Sequence, residues 1–238
     1  MTRFLASLFA LSALAAPAFA EDRHYAIQDF DRVIVEGPYI VHLVTARTSS
    51  AVAHGSREAL DRMSLDVQGQ MLRIRRNRGA WSGGSGRDPG LVTIDLVTRS
   101  VRSIRLIGPV RFDADNVRGL RVEFSVEGSG TLHATRLSAD ALSLALLGSG
   151  GLDLAGTART LAGTFQGTGD VAGPGLIANN ATIGSTTSGS VSLTVNGPAT
   201  IANNGVGNVR ILGRAVCTIS GTAADQVRCG GSDQRQNR

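Results

Sequence analysis

The side chains able to do chemistry are few and widely spaced. In the repetitive middle of the chain the acids are Asp113, Asp115, Glu123, Glu127, Asp140, Asp153 and Asp170. Hydrolysis of an acidic polysaccharide on a β-helix face would need two of these carboxylates across one glycosidic bond. Asp153 and Asp170 each follow a glycine triplet, but as the third and the first residue after it, so their spacing does not align them. The histidines, His24, His42, His54 and His133, show no metal-ligand spacing, and a zinc site needs at least three convergent ligands. The expectation is no catalytic residue, no metal site and no cofactor. Cys217 and Cys229 are the only cysteines. Two cysteines without nearby histidine leave zinc short of ligands, whereas an even count in an exported chain favours a disulfide.

The densest charge cluster is Arg73, Arg75, Arg76 and Arg78. In Leu72-Arg73-Ile74-Arg75 the aliphatic side chains point one way and the arginines the other. A solvated strand face is the plain reading. A contact for anionic lipid, glycan phosphate or an acidic partner is the functional one. Trp81, in a Gly/Ser-rich stretch between Arg78 and Arg87, is the best-placed aromatic for sugar. Beyond Phe165 there is no aromatic residue at all, which argues against sugar stacking along the coils and against base-stacking readout of nucleic acid.

Composition narrows the class. The 238 residues carry 24 basic and 19 acidic side chains, a formal net charge of +5. Every basic residue is arginine. So mild a positive balance helps contact with anionic surfaces but does not imply nucleic acid. Residues 1–20 read as a secretory signal peptide: Arg3, an apolar run from Phe4 to Ala15, and the small-x-small site Ala18-Phe19-Ala20. No second long apolar stretch follows, so no transmembrane span is expected in the mature chain.

What must position these side chains is a repeat. Gly128-Ser129-Gly130, Gly148-Ser149-Gly150 and Gly167-Thr168-Gly169 recur, followed by Thr187-Ser188-Gly189 and Gly205-Val206-Gly207. Their first residues lie 20, 19, 20 and 18 positions apart. An apolar residue comes two positions after each triplet: Leu132, Leu152, Val171, Val191 and Val209. A period near 20 with turn residues at one phase marks a solenoid. Alternating aliphatics flank the corners, as in Leu142, Leu144, Leu146 and Val191, Leu193, Val195. Each coil should therefore hold a strand on either side of a glycine corner. Leu176-Ile177-Ala178-Asn179-Asn180 echoes Thr200-Ile201-Ala202-Asn203-Asn204 at a spacing of 24, which fits the repeat poorly.

Before the coils, Phe30, Val33, Val35 and Tyr39, Val41, Leu43 predict two strands around Gly37-Pro38, and Ser56 to Met63 predicts one or two helical turns. The expected organisation is one all-β domain over 21–231. It comprises an irregular N-terminal β region over 21–105, repeating coils over 106–231, and a disordered tail over 232–238.

These residues resemble a known family. Phe30-Asp31-Arg32-Val33-Ile34-Val35-Glu36-Gly37 and the ordered Gly-Ser-Gly coils are similar to the bacterial autotransporter adhesin head GIN domain family. The resemblance runs from about Phe30 to about Gly221. It implies an exported, single-stranded, right-handed β-helix-like solenoid with no catalytic residues to carry over. The missing first glycine at Thr187 and at Ile219 departs from the pattern. The functional expectation is an exported, non-catalytic binding or scaffolding module of the envelope with adhesive character, periplasmic or at the cell surface. Its partner would be an envelope protein or glycan, and its open strand surfaces allow homo-oligomers. The rival expectation is a polysaccharide-active enzyme using acids on one coil face.

Overall fold

A computed structural model describes residues 21–77 and 90–230. Residues 1–20, expected to be a signal peptide, Arg78, Trp81, Arg87 and residues 231–238 lie outside the described residues. The molecule is a nearly all-β solenoid of about six turns.

The first part contains β1 (Glu21–Tyr25), β2 (Arg32–Glu36), β3 (Tyr39–Thr45), β4 (Ser50–Gly55), the one-turn helix α1 (Arg57–Asp61), β5 (Met63–Gln68), β6 (Met71–Arg76) and β7 (Val92–Thr98). Ser56 caps α1 by accepting the Ala59 N–H at 3.1 Å. The coils continue through β8 (Ser103–Ile107), β9 (Arg111–Asp115), β10 (Arg118–Gly128), β11 (Thr131–Gly148), β12 (Gly151–Gly167) and β13 (Asp170–Thr187). They close with β14 (Val191–Val195), β15 (Pro198–Asn203), β16 (Val209–Leu212), β17 (Val216–Ser220) and β18 (Val227–Cys229).

Two long parallel ladders run along the solenoid. The first flank stacks β6, β2, β8, β10, β11, β12, β13, β15 and β17. The second stacks β7, β3, β9 and then the leading halves of β11, β12 and β13, followed by β14, β16 and β18. Alternation puts every second side chain inside. Ile104, Phe124, Leu144, Gly163, Ile183, Ile201 and Ile219 follow one another in register down one buried column. A lone coil cannot cover this apolar face, so stacking is what makes it a core.

The N-terminal region is irregular in a specific way. The coil made by β2 and β3 lies between the β6–β7 coil and the β8–β9 coil, so stacking order departs from chain order. Gly37-Pro38 is thus a solenoid corner and not a hairpin turn. Among the described residues three strands run antiparallel to their neighbours: β5 along β6, β4 along β7, and β1 along β4. They close the first end of the solenoid.

The corner glycines answer to backbone crowding. Gly148 has φ +126°, and a Cβ there would lie 2.5 Å from the Gly128 carbonyl oxygen. A Cβ on Gly150 would lie 2.1 Å from the Gly130 carbonyl oxygen. At Thr187, where the first glycine is missing, the corner is rebuilt by a side chain. The buried Thr187 hydroxyl lies 3.2 Å from both the Gly167 and Gly169 carbonyls and accepts the Gly189 N–H at 3.0 Å. The two Asn-Asn segments do not stack. Asn180 pairs with Thr160, and Thr200 with Thr182, so the echo at spacing 24 has no structural counterpart. Asn203 is buried and bonds the Ala223 carbonyl at 2.9 Å. Cys217 and Cys229 form a disulfide across 12 residues with Cα atoms 6.4 Å apart. It ties β17 to β18 at the last coil, and by loop entropy contributes about 3 kcal/mol.

Candidate binding faces

The first flank changes character along its length. Its early strands carry the arginines. Arg73 and Arg75 stand exposed on β6, with Asp66 and Ser64 opposite them on β5, and Arg105 lies two strands away. Arg105 is paired with Glu127 at 2.7 Å. Arg76 is exposed at the end of β6. These side chains line an open strand face and are interleaved with acids, and they do not converge on a pocket. A shallow groove nearby is lined by Arg32, Arg102, Arg121 and Glu123. Arg102 is occupied there, its Nε donating to Asp31 at 2.7 Å.

From β11 onward two outward columns of the same flank are flat, beside a third that carries the exposed Leu147 and Gln166. The outward positions in register with Glu123 are Ser143, Ala162, Thr182, Thr200 and Thr218. The neighbouring column holds Ser125, Ala145, Thr164, Gly184, Ala202 and Ser220. No side chain beyond Glu123 in these columns is longer than threonine, so a long strip with strands about 4.8 Å apart is left uncluttered.

The second flank carries a constellation that the sequence analysis missed. Asp22 on β1, His54 on β4, Asp95 on β7, His42 on β3, Asp113 on β9, His133 on β11 and Asp153 on β12 alternate across seven successive strands, in register except at the His54–Asp95 step, which is diagonal because His54 lies opposite Thr93. His54 lies 2.7 Å from Asp22 through Nδ1 and 3.0 Å from Asp95 through Nε2. His42 lies 3.1 Å from Asp113, and His133 lies 3.0 Å from Asp153. Part of the signal was in the sequence: Asp113, His133 and Asp153 are spaced by 20, the coil period, at one phase after their corners. Asp22, His54, Asp95 and His42 join only through the out-of-order N-terminal stacking.

Three more of the solenoid acids are also engaged. Asp115 accepts from the Thr135 hydroxyl at 2.9 Å and contacts Arg136. Asp140 lies 3.9 Å from Arg159. Asp170 accepts from the Ser190 backbone N–H at 2.7 Å and its hydroxyl at 2.8 Å, and these bonds hold its carboxyl below the usual range. Asp113 and Asp153 are two strands apart, roughly 9.6 Å, with His133 between them. Among the described residues no group of three or more His, Cys, Asp or Glu is placed to hold a metal ion. No described helix is long and apolar enough to cross a membrane.

A β-solenoid that presents long, open strand faces is the class these features define. The chain belongs to the family described as "Putative auto-transporter adhesin, head GIN domain", which residues 29–215 match. Solved structures share the fold. One, a putative adhesin from Bacteroides fragilis, has a TM-score of 0.77 at 17% identity, covering 90% of this chain and 94% of that one. Another, from Parabacteroides distasonis, is described as a putative lipid binding protein. It has a TM-score of 0.65 at 18% identity over 91% and 96% of the two chains. A putative adhesin from Parabacteroides merdae gives 0.63 at 14% identity over 91% and 98%. No curated protein matches the chain significantly. Family and disulfide together indicate an exported protein.

Proposed function

We propose that the protein is a non-catalytic binding or scaffolding module of the bacterial envelope. The observation that carries this reading is the flat Ser/Thr/Ala surface of the first flank from β11 to β17. A long strip without long side chains suits adhesion to another extended surface, because binding immobilises few rotamers. The acids of the second flank oppose the enzyme reading. His133 stands between Asp113 and Asp153 and pairs with the latter, and Asp170, on the strand next to Asp153, is engaged by the Ser190 N–H and hydroxyl.

The face can be tested with labelled protein on envelope preparations. Ala162→Lys with Thr200→Lys places two long charged side chains on one of the flat columns, two strands apart. Retention should fall at least roughly tenfold, about 1.4 kcal/mol, with the melting temperature little changed. Retention equal to that of the unaltered protein removes the flat face from the reading.

The partner is an envelope protein or glycan, and the arginines of β6 are a secondary, polar contact for it. We place the protein at the cell surface, as adhesion requires. Protease added to intact cells should then degrade it. Survival on intact cells with degradation after lysis places it in the periplasm and leaves the scaffold reading without adhesion.

A further inference from the structure

We propose that Asp22, His54 and Asp95 form a proton-operated latch that holds the edge strand β1 on the solenoid and releases it as pH rises.

The geometry requires a proton on each ring nitrogen. Both nitrogens of His54 lie within hydrogen-bond distance of a carboxylate, at 2.7 and 3.0 Å. Ionised carboxylates only accept hydrogen bonds, and neutral imidazole has one donor and one acceptor. Only the imidazolium satisfies both contacts. Loss of its proton points a nitrogen lone pair at an anionic oxygen, and one contact must open.

The fold determines which one opens. Asp95 sits on β7, which is paired on both sides, by β4 and by β3. Asp22 sits on β1, whose only ladder partner among the described residues is β4. The edge strand therefore yields. Among the described residues its other attachments are the five-position ladder to β4, the packing of Tyr25 on the core, and two surface ion pairs that are weak by nature, Arg23 to Asp61 at 2.8 Å and Arg57 to Glu21 at 3.1 Å. Displacement of β1 uncovers the ladder hydrogen bonds of β4, a template for pairing with another strand.

The groups facing His54 are few. From β1 they are Asp22 and, two residues on along the same face, His24, with Glu21 and Arg23 flanking Asp22 on the other face; from β7, Asp95, beyond which lies His42 of β3; and from the α1 side, Arg57, tied to Glu21. The Asp22 bond raises the His54 pKa above the ordinary histidine value; burial opposes it, and the Asp95 bond adds a smaller rise. A raised pKa in the closed state means that the contribution is complete below the open-state value. It fades as pH rises through the closed-state value.

The test is amide hydrogen exchange of the purified protein from about pH 5 to about pH 9, corrected for intrinsic rates. Protection of residues 21–25 and 50–55 should fall in a one-proton step while β12 stays protected. The fall should be about tenfold for each unit separating the closed-state and open-state pKa values. His54→Gln should abolish the step, and Asp22→Asn, a milder change at the edge, should abolish it too. Nitrogen NMR at about pH 6 should show both His54 ring nitrogens protonated. Protection that does not change with pH, a step that persists in both variants, or a neutral His54 at that pH overturns the latch.

Discussion

Gly150→Ala should destabilise the protein by about 3 kcal/mol or more, within the class of severe overpacking. The new Cβ would lie 2.1 Å from the Gly130 carbonyl oxygen and 3.0 Å from a methyl of Val126. The first contact is with backbone that is itself held in the stack, since Gly130 O accepts the Gly151 N–H at 2.9 Å. Relief therefore requires two coils to separate. The same crowding recurs down the column, where a Cβ on Gly207 would meet the Gly189 carbonyl oxygen at 2.0 Å. Gly184 is the control: a Cβ there meets nothing within 4 Å. Gly184→Ala should be neutral or stabilise by up to about 1 kcal/mol, through the entropy of the unfolded chain. Chemical denaturation of both variants measures the contrast. Equal midpoints would show that the corner glycines are not set by coil stacking.

Phe165→Ala should cost about 3–5 kcal/mol, the range for a buried aromatic reduced to a methyl. Phe165 is fully buried on β12, in register with Leu146 before it and Ser185 after it. Its ring lies over Gly163, where a Cβ would approach to 2.6 Å. The pair is a matched bump and hollow within one strand, so the hollow has no side chain of its own to refill the space. Phe165→Leu should recover most of the loss, because volume rather than aromaticity is what the column needs. A loss below about 1 kcal/mol for Phe165→Ala, measured by the same denaturation, would mean that neighbouring coils collapse into the gap.

The two flanks differed in how far they could be read from the sequence. Strands around Gly37, the short helix after Ser56 and the disulfide were legible because each depends on neighbours a few residues away or on a single pair. The flat columns were implicit in the repeat but not assigned, since which outward residues fall in register depends on spacings that vary between 18 and 20. The arginines of β6 were placed on the outward side, as alternation requires, yet the cross-strand acid Asp66 opposite Arg73 appears only with the β5–β6 pairing. His42 and His54 looked scattered because the residues they meet are far away in sequence: Asp113 for one, Asp22 and Asp95 for the other.

By itself the chain determined a glycine-cornered, strand-alternating coil, repeated near every 20 residues and stacked to bury its aliphatic side. That much is local physics: a two-residue alternation, corners that tolerate little more than glycine, and an apolar face that one coil cannot hide. Only the tertiary structure decided the order of stacking at the first end, with β2–β3 inserted between later coils and β1 and β4 reversed along the edge. Periodicity carries no information about which equivalent coil lies next to which. Any aliphatic coil face can cover another, and the choice rests on the sum of many register-dependent contacts between distant segments. The Asp–His ladder is a product of that choice.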